Sequence, residues 1–193
     1  MKLIAVVGIV VGIAIAAIIV VIVAAWALVD LHLMSYTATG SETLSPTGAA
    51  AGNALVAYDP GITGEARSAA TDIADDLRSR GYKVELAGIK SATAANVSGY
   101  DVIIVGGPMY DGAVISTVET YLKALTPQRD AKLGVFGTTG WGEIEDANIA
   151  GLEAQVNSSS NLNALDQRTA TKTIRSGNNF SVDCGNLVSA VLQ

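Results

Sequence analysis

The chain has 193 residues, half of them hydrophobic, with 12 Lys and Arg against 18 Asp and Glu and a formal net charge of -6. That length holds one ordinary domain and an appendage, and the acidic balance argues against a nucleic-acid partner or direct binding to anionic lipid headgroups. A single cysteine, Cys184, and a single histidine, His32, exclude an intrachain disulfide, a cysteine-ligated iron-sulfur cluster and a His-assisted nucleophile in the domain, so no catalytic residue and no metal ligand set are assigned.

From Leu3 to Val29 the chain carries no charge and no proline. About 27 residues of helix would span roughly 40 Å, more than the ~30 Å hydrocarbon core of a bilayer. Residues 1–29 are therefore expected to form an N-terminal transmembrane anchor, with Trp26 in the interfacial aromatic belt. The alternative is a cleaved signal peptide, because Ala25-Trp26-Ala27 has the small-x-small form of a cleavage site. Lys2 precedes the apolar run and no Lys or Arg follows until Arg67, so the positive-inside bias points the N-terminus to the cytoplasm and the domain outside. The expected protein is thus a single-pass membrane protein.

Residues 30–53 turn to Ser, Thr, Gly and Ala with few large apolar groups. Such a segment buries too little surface to offset its ordering entropy and reads as a flexible linker. From residue 54 to 193, apolar runs alternate with helical patterns. Strands are expected at Ala54 to Tyr58, Lys83 to Ile89, Asp101 to Gly107, Lys132 to Gly137 and Thr169 to Ile174. Between them, apolar residues recur at spacings of three and four: Ala66, Ala69, Ile73 and Leu77; Val118, Tyr121, Leu122 and Leu125; Ile149, Leu152 and Val156. A last helix is expected over Gly185 to Leu192. Three of the strands are continuous apolar runs, as when helices cover both faces of a parallel sheet. The pattern fits an α/β doubly wound parallel sheet of five strands in the order 2-1-3-4-5. Such sheets bind ligands outside the carboxyl ends of the strands at the topological switch point, which directs attention to the loops after Tyr58, Val105 and Phe136.

Three stretches, "YDPGITGEARSAATDIADDLRSRGYKVEL", "YDVIIVGGPMYDGAVISTVETYLKAL" and "LGVFGTTGW", resemble in order and separation the flavodoxins and their relatives, over roughly Ala54 to Val156. The resemblance implies a flavodoxin-like domain that binds FMN and passes electrons between partner proteins. It implies cofactor contacts from Gly61, Thr63 and Gly64 in the first loop; Gly107, Pro108, Met109, Tyr110, Asp111 and Gly112 in the second; and Thr138, Thr139, Gly140 and Trp141 in the third.

The first loop departs from the family pattern, Ser/Thr-x-Thr-Gly-Asn-Thr, whose hydroxyls and backbone N–H groups wrap the FMN phosphate. With Thr63-Gly64 as the central pair, Gly61 and Ala66 stand where hydroxyls are expected and Glu65 stands at the Asn. At ~6 Å and an effective dielectric of ~20, a carboxylate repels each unit of phosphate charge by roughly 3 kcal/mol, and by less than ~1 if it stays in water. A carboxylate in the first turn also complements the helix dipole, so Glu65 can take the anion's place. The loop reads equally as a phosphate cradle or as a plain strand-to-helix turn, and Arg67 could pair with either Glu65 or the phosphate.

In the second loop the glycines permit close backbone approach and Tyr110 can lie against a flat ring; the competing reading is a strand end turning into a helix. In the third, Trp141 can stack on a ring or fold back over a helix end. From Ala51 onward, without Lys2, Asp30 and Glu42, the domain carries 11 basic and 16 acidic residues, a balance that steers electron carriers toward basic partners. Asp111 and Glu143 near a flavin would lower its potential. The expected function is FMN-dependent electron transfer at a membrane. The alternatives are a flavin-free interaction module on the same anchor and a flavin-dependent oxidoreductase such as a quinone reductase.

Overall fold

The computed structural model describes residues 12–26, 38–140, 146–177 and 179–193. The chain divides into two compact units, Met1–Tyr36 and Thr37–Gln193. In the first, residues 12–26 are helical. Fifteen residues rise about 22 Å, short of the ~30 Å hydrocarbon core. Among the described residues no helix is long and apolar enough to cross a membrane. The expected transmembrane anchor, and with it the single-pass membrane localisation, is corrected on that ground. The outer ends of the expected span, and His32, lie outside the described residues.

The second unit contains β1 (Ser41–Leu44), β2 (Gly52–Tyr58), α1 (Glu65–Ser79), β3 (Tyr82–Gly88), α2 (Ala92–Ala95), β4 (Val102–Tyr110), β5 (Ala113–Val114), α3 (Ser116–Ala124), β6 (Lys132–Thr139), α4 (Asp146–Asn157), a 3-10 turn (Ser160–Ala164), β7 (Ala170–Arg175) and α5 (Phe180–Leu192). The sheet has seven strands in the order β1-β3-β2-β4-β6-β7, with β5 paired to β4. Neighbours among β3, β2, β4, β6 and β7 are parallel; β1 and β5 pair antiparallel. The expected five-stranded, wholly parallel sheet is therefore corrected to a mixed one.

Both extra strands have a physical reason for escaping the apolar pattern. β1 lies in the segment expected to be linker, with three of its four residues exposed. An edge strand held by backbone pairing to β3 and by the Thr43 hydroxyl on the Glu85 carboxylate at 2.8 Å needs no apolar alternation. β5 has two residues and follows a two-residue turn, Asp111 (φ 50) and Gly112 (φ 79). Two consecutive left-handed residues are the hairpin geometry that Asp-Gly favours.

The central strands are apolar because both faces are covered. From Val102 to Met109, β4 has no exposed residue. One layer packs Ala66, Ala69, Ala70, Ile73, Ala74 and Leu77 of α1 and Leu187, Val188 and Val191 of α5 against Val56, Ile104 and Phe136. The alanines let α1 lie close on the sheet. The other layer packs Val118 and Leu122 of α3 and Leu152 and Val156 of α4 against Leu55, Ile103, Val105 and Val135. With all five parallel strands pointing one way, the ends of β2, β4 and β6 and their loops fall on one edge.

Cys184 lies within α5, 1 % exposed, in the α1/α5 layer. Burial, then the carboxylates of Asp72 and Asp183, push its thiol up to about 12. The folded thiol therefore stays neutral where an unfolded one ionises. Cys184 should resist a thiol reagent at pH 8 in the native chain and react at the rate of a free thiol in denaturant. Because the folded pKa is raised, its contribution to stability is intact below the unfolded thiol's ordinary 9.0 and is lost as pH climbs toward about 12. A chemical denaturation series from pH 8 to 11 should show that decline, and Cys184→Ala should flatten it.

Candidate functional site

The three segments singled out in the sequence meet at the carboxyl edge of β2, β4 and β6. Loop 1, residues 59–64, leaves β2 and enters α1. Gly61 (φ +61) and Gly64 (φ +76) hold it in left-handed conformations, and the Pro108 ring comes within 2.8 Å of where a Cβ on Gly61 would stand. A hydroxyl-bearing residue is therefore strained and crowded at position 61. Thr63 is exposed, and α1 starts from Gly64 without a side-chain cap.

The residue that organises this loop is Asp59, which the sequence reading passed over. It has no exposure to solvent. One carboxylate oxygen accepts the Gly61 N–H at 3.1 Å and the other accepts the Thr117 hydroxyl. Thr117 is in the first turn of α3, which also lacks a side-chain cap, so the helix dipole offsets part of the cost of burying the charge. Asp59 thus ties loop 1 to the start of α3. Its sequence signal is the Asp-Pro-Gly run, because an Asp side chain commonly accepts the N–H two residues on.

The second segment is a strand and a hairpin where a loop was expected. Gly107, Pro108, Met109 and Tyr110 belong to β4, and Asp111 and Gly112 form the turn to β5. The room that a Cβ at Gly107 would need is filled by Val118, at 2.8 Å, and by Asp59, so this glycine serves packing inside the protein. Met109 is buried, its sulfur lying over Gly137. Tyr110, 47 % exposed, folds back over loop 1. Burial raises its phenol pKa, the backbone of Ile62 lowers it, and the carboxylates of Asp59 and Glu65 raise it again. The phenol thus lies beside the backbone of loop 1 at Ile62. Both carboxylates lie within electrostatic reach of it.

Thr138 and Thr139 are the last residues of β6, again strand where loop was expected, and both are buried. Among the described residues the Thr139 hydroxyl has no hydrogen-bond partner, and neither has that of Thr173 on β7. Gly140 reaches loop 1: the Glu65 carboxylate is 3.0 Å from where a Gly140 Cβ would be. Trp141 lies outside the described residues. Behind the hairpin, Gly151 of α4 presses on Gly112, whose carbonyl oxygen is 1.9 Å from the position of a Gly151 Cβ.

The structure therefore brings together Gly61, Pro108, Tyr110, Glu65 and Gly140, braced by Asp59 and Gly112, while Gly107, Met109, Thr138 and Thr139 are buried behind them. An anion at the start of α1 would meet the Asp59 and Glu65 carboxylates and would find the Gly61 N–H already bonded to Asp59. The residues present do not fit the phosphate of FMN.

No family model matches the chain, and no curated protein is significantly similar to it. Solved structures are. The flavodoxin of Streptococcus pneumonia TIGR4 superposes with a TM-score of 0.53 at 18 % identity, over 72 % of this chain and 97 % of that one. Flavodoxin 2 from Bacillus cereus does so with a TM-score of 0.52 at 21 % identity, over 72 % and 97 %. A flavodoxin, WrbA-like protein from Agrobacterium tumefaciens gives 0.50 at 13 % identity, over 74 % and 99 %. At such identities the likeness concerns the fold, which is flavodoxin-like.

Two substitutions test this arrangement. Asp59→Ala leaves the Gly61 N–H and the Thr117 hydroxyl without their acceptor and should cost about 2–4 kcal/mol in urea denaturation, whereas Asp59→Asn, which keeps an acceptor oxygen, should cost less than half of that. Gly→Ala inside a helix ordinarily adds ~1 kcal/mol. Gly151→Ala should instead lose about 1–2 kcal/mol, because its methyl would run into backbone.

Proposed function

We propose that this flavodoxin-like domain holds the ring of a flavin where loop 1, the β4–β5 hairpin and the end of β6 meet, and that it carries electrons between partner proteins. The observation that supports this most is the convergence itself: Pro108 on Gly61, Tyr110 on Ile62 and Glu65 on Gly140 place three loops around one spot on the edge where α/β sheets of this kind bind ligands. A bound flavin supplies reversible one- and two-electron chemistry. This chain's own part is to flank the ring and keep water from it. Tyr110 offers a half-exposed aromatic face, Asp111 and Gly112 offer backbone at the hairpin, and Gly140 stands on the third side. The excess of carboxylates in the domain favours basic redox partners.

One observation favours a second reading, an interaction module without flavin. The Gly61 N–H is already held by Asp59, and the Asp59 and Glu65 carboxylates stand at the start of α1.

The deciding measurement is a titration of the full chain with riboflavin and with FMN, followed by visible absorption and flavin fluorescence. The electron-carrier reading expects quenching and a shifted absorption band for at least one of them at micromolar concentration, reversed by Tyr110→Ala with a loss of about tenfold in affinity, the scale of one stacking contact. No perturbation by either flavin leaves the interaction module standing.

A further inference from the structure

We infer that the site selects a flavin that ends in a hydroxyl, of the riboflavin class, over one that ends in a phosphate. This rests on the flavin reading above and narrows its ligand. Three features at the start of α1 carry it. First, the Asp59 carboxylate accepts the Gly61 N–H at 3.1 Å from a position with no solvent exposure, so its charge is not screened by water. Second, the Pro108 ring packs on Gly61, 2.8 Å from where its Cβ would stand, and closes the loop from that side. Third, Glu65, the first residue of α1, turns its carboxylate toward Gly140 and so lies between loop 1 and the end of β6. Two carboxylates and one engaged N–H thus stand where a phosphate would need donors.

Cations flank this edge, and Lys90 stands exposed after the end of β3, which pairs with β2. Residues two apart on an α-helix point about 200° apart, so Arg67 faces away from Glu65. It lines a groove of about 580 Å³ with Tyr58, Thr71, Asp75 and residues 38–42 and 44, on the β1 side of α1. Arg175 stands one strand beyond, in register with Thr139. A terminal hydroxyl suits such a place because it donates, and a carboxylate such as Glu65 only accepts. A phosphate dianion has acceptors alone to offer.

The test is a pair of affinities on the full chain, for riboflavin and for FMN, read by flavin fluorescence at low salt and again at high salt, and repeated with Glu65→Gln. The inference expects riboflavin to bind about tenfold or more tighter than FMN at low salt. Added salt should narrow the gap by strengthening FMN alone, since screening relieves repulsion. Glu65→Gln should narrow it in the same direction. FMN binding as tightly as riboflavin or tighter, or FMN weakening as salt rises, overturns the inference while leaving the flavin reading intact. Failure of both flavins to bind overturns the flavin reading itself and the inference with it.

Discussion

The structure depends on one constraint: β2, β4 and β6 are covered on both faces, so no polar side chain can be accommodated along most of their length. β4 runs eight residues without an exposed position. Parallel strands under such cover need helical crossovers, and the crossovers here are amphipathic helices whose apolar faces are built to different closeness, alanines on α1 and larger aliphatics on α3 and α4. Polar chemistry is then forced to the strand ends. Because the strands run in one direction, it collects on a single edge.

What that edge does with its polar groups separates this chain from a generic strand-to-helix turn. Asp59 is the first polar residue after the apolar run of β2, and it is as buried as the run itself. It is tolerable there because it is bonded on both oxygens and stands at a helix start. By binding loop 1 and α3 together it makes the edge a rigid, internally bonded surface. Glu65 adds a second carboxylate at the start of α1, turned toward Gly140. The edge therefore belongs to a flavodoxin-like fold and carries carboxylates at the start of α1.

Much of this was legible in the residues. The apolar runs at Leu55, Ile103 and Val135 and the three-four spacing of Ala66, Ala69, Ile73 and Leu77 were sufficient for the parallel strands and α1, because burial on both faces leaves a compositional mark. The misplaced features share a different origin. Ser41 to Leu44 form a strand through backbone hydrogen bonds at an edge, which leave no apolar pattern. Pro108 to Tyr110 and Thr138 to Thr139 read as loop beside their neighbouring glycines, yet they are strand because β5, β6 and β7 pair alongside them. The long apolar run near the N-terminus suggested a membrane helix by length alone, and the described helical stretch is too short to make one.

The amino-acid sequence by itself determined the alternation of elements, the two-faced burial of the central strands and the acidic character of the domain, since these follow from periodicity and composition, which are local. Only the tertiary structure decided which glycines are filled by neighbouring side chains, that Asp59 bridges loop 1 to α3, and that Glu65 and Arg67 part company around α1. Those are questions of where groups far apart in the chain come to lie, and pairwise contacts across strands and helices, rather than any local preference, settle them.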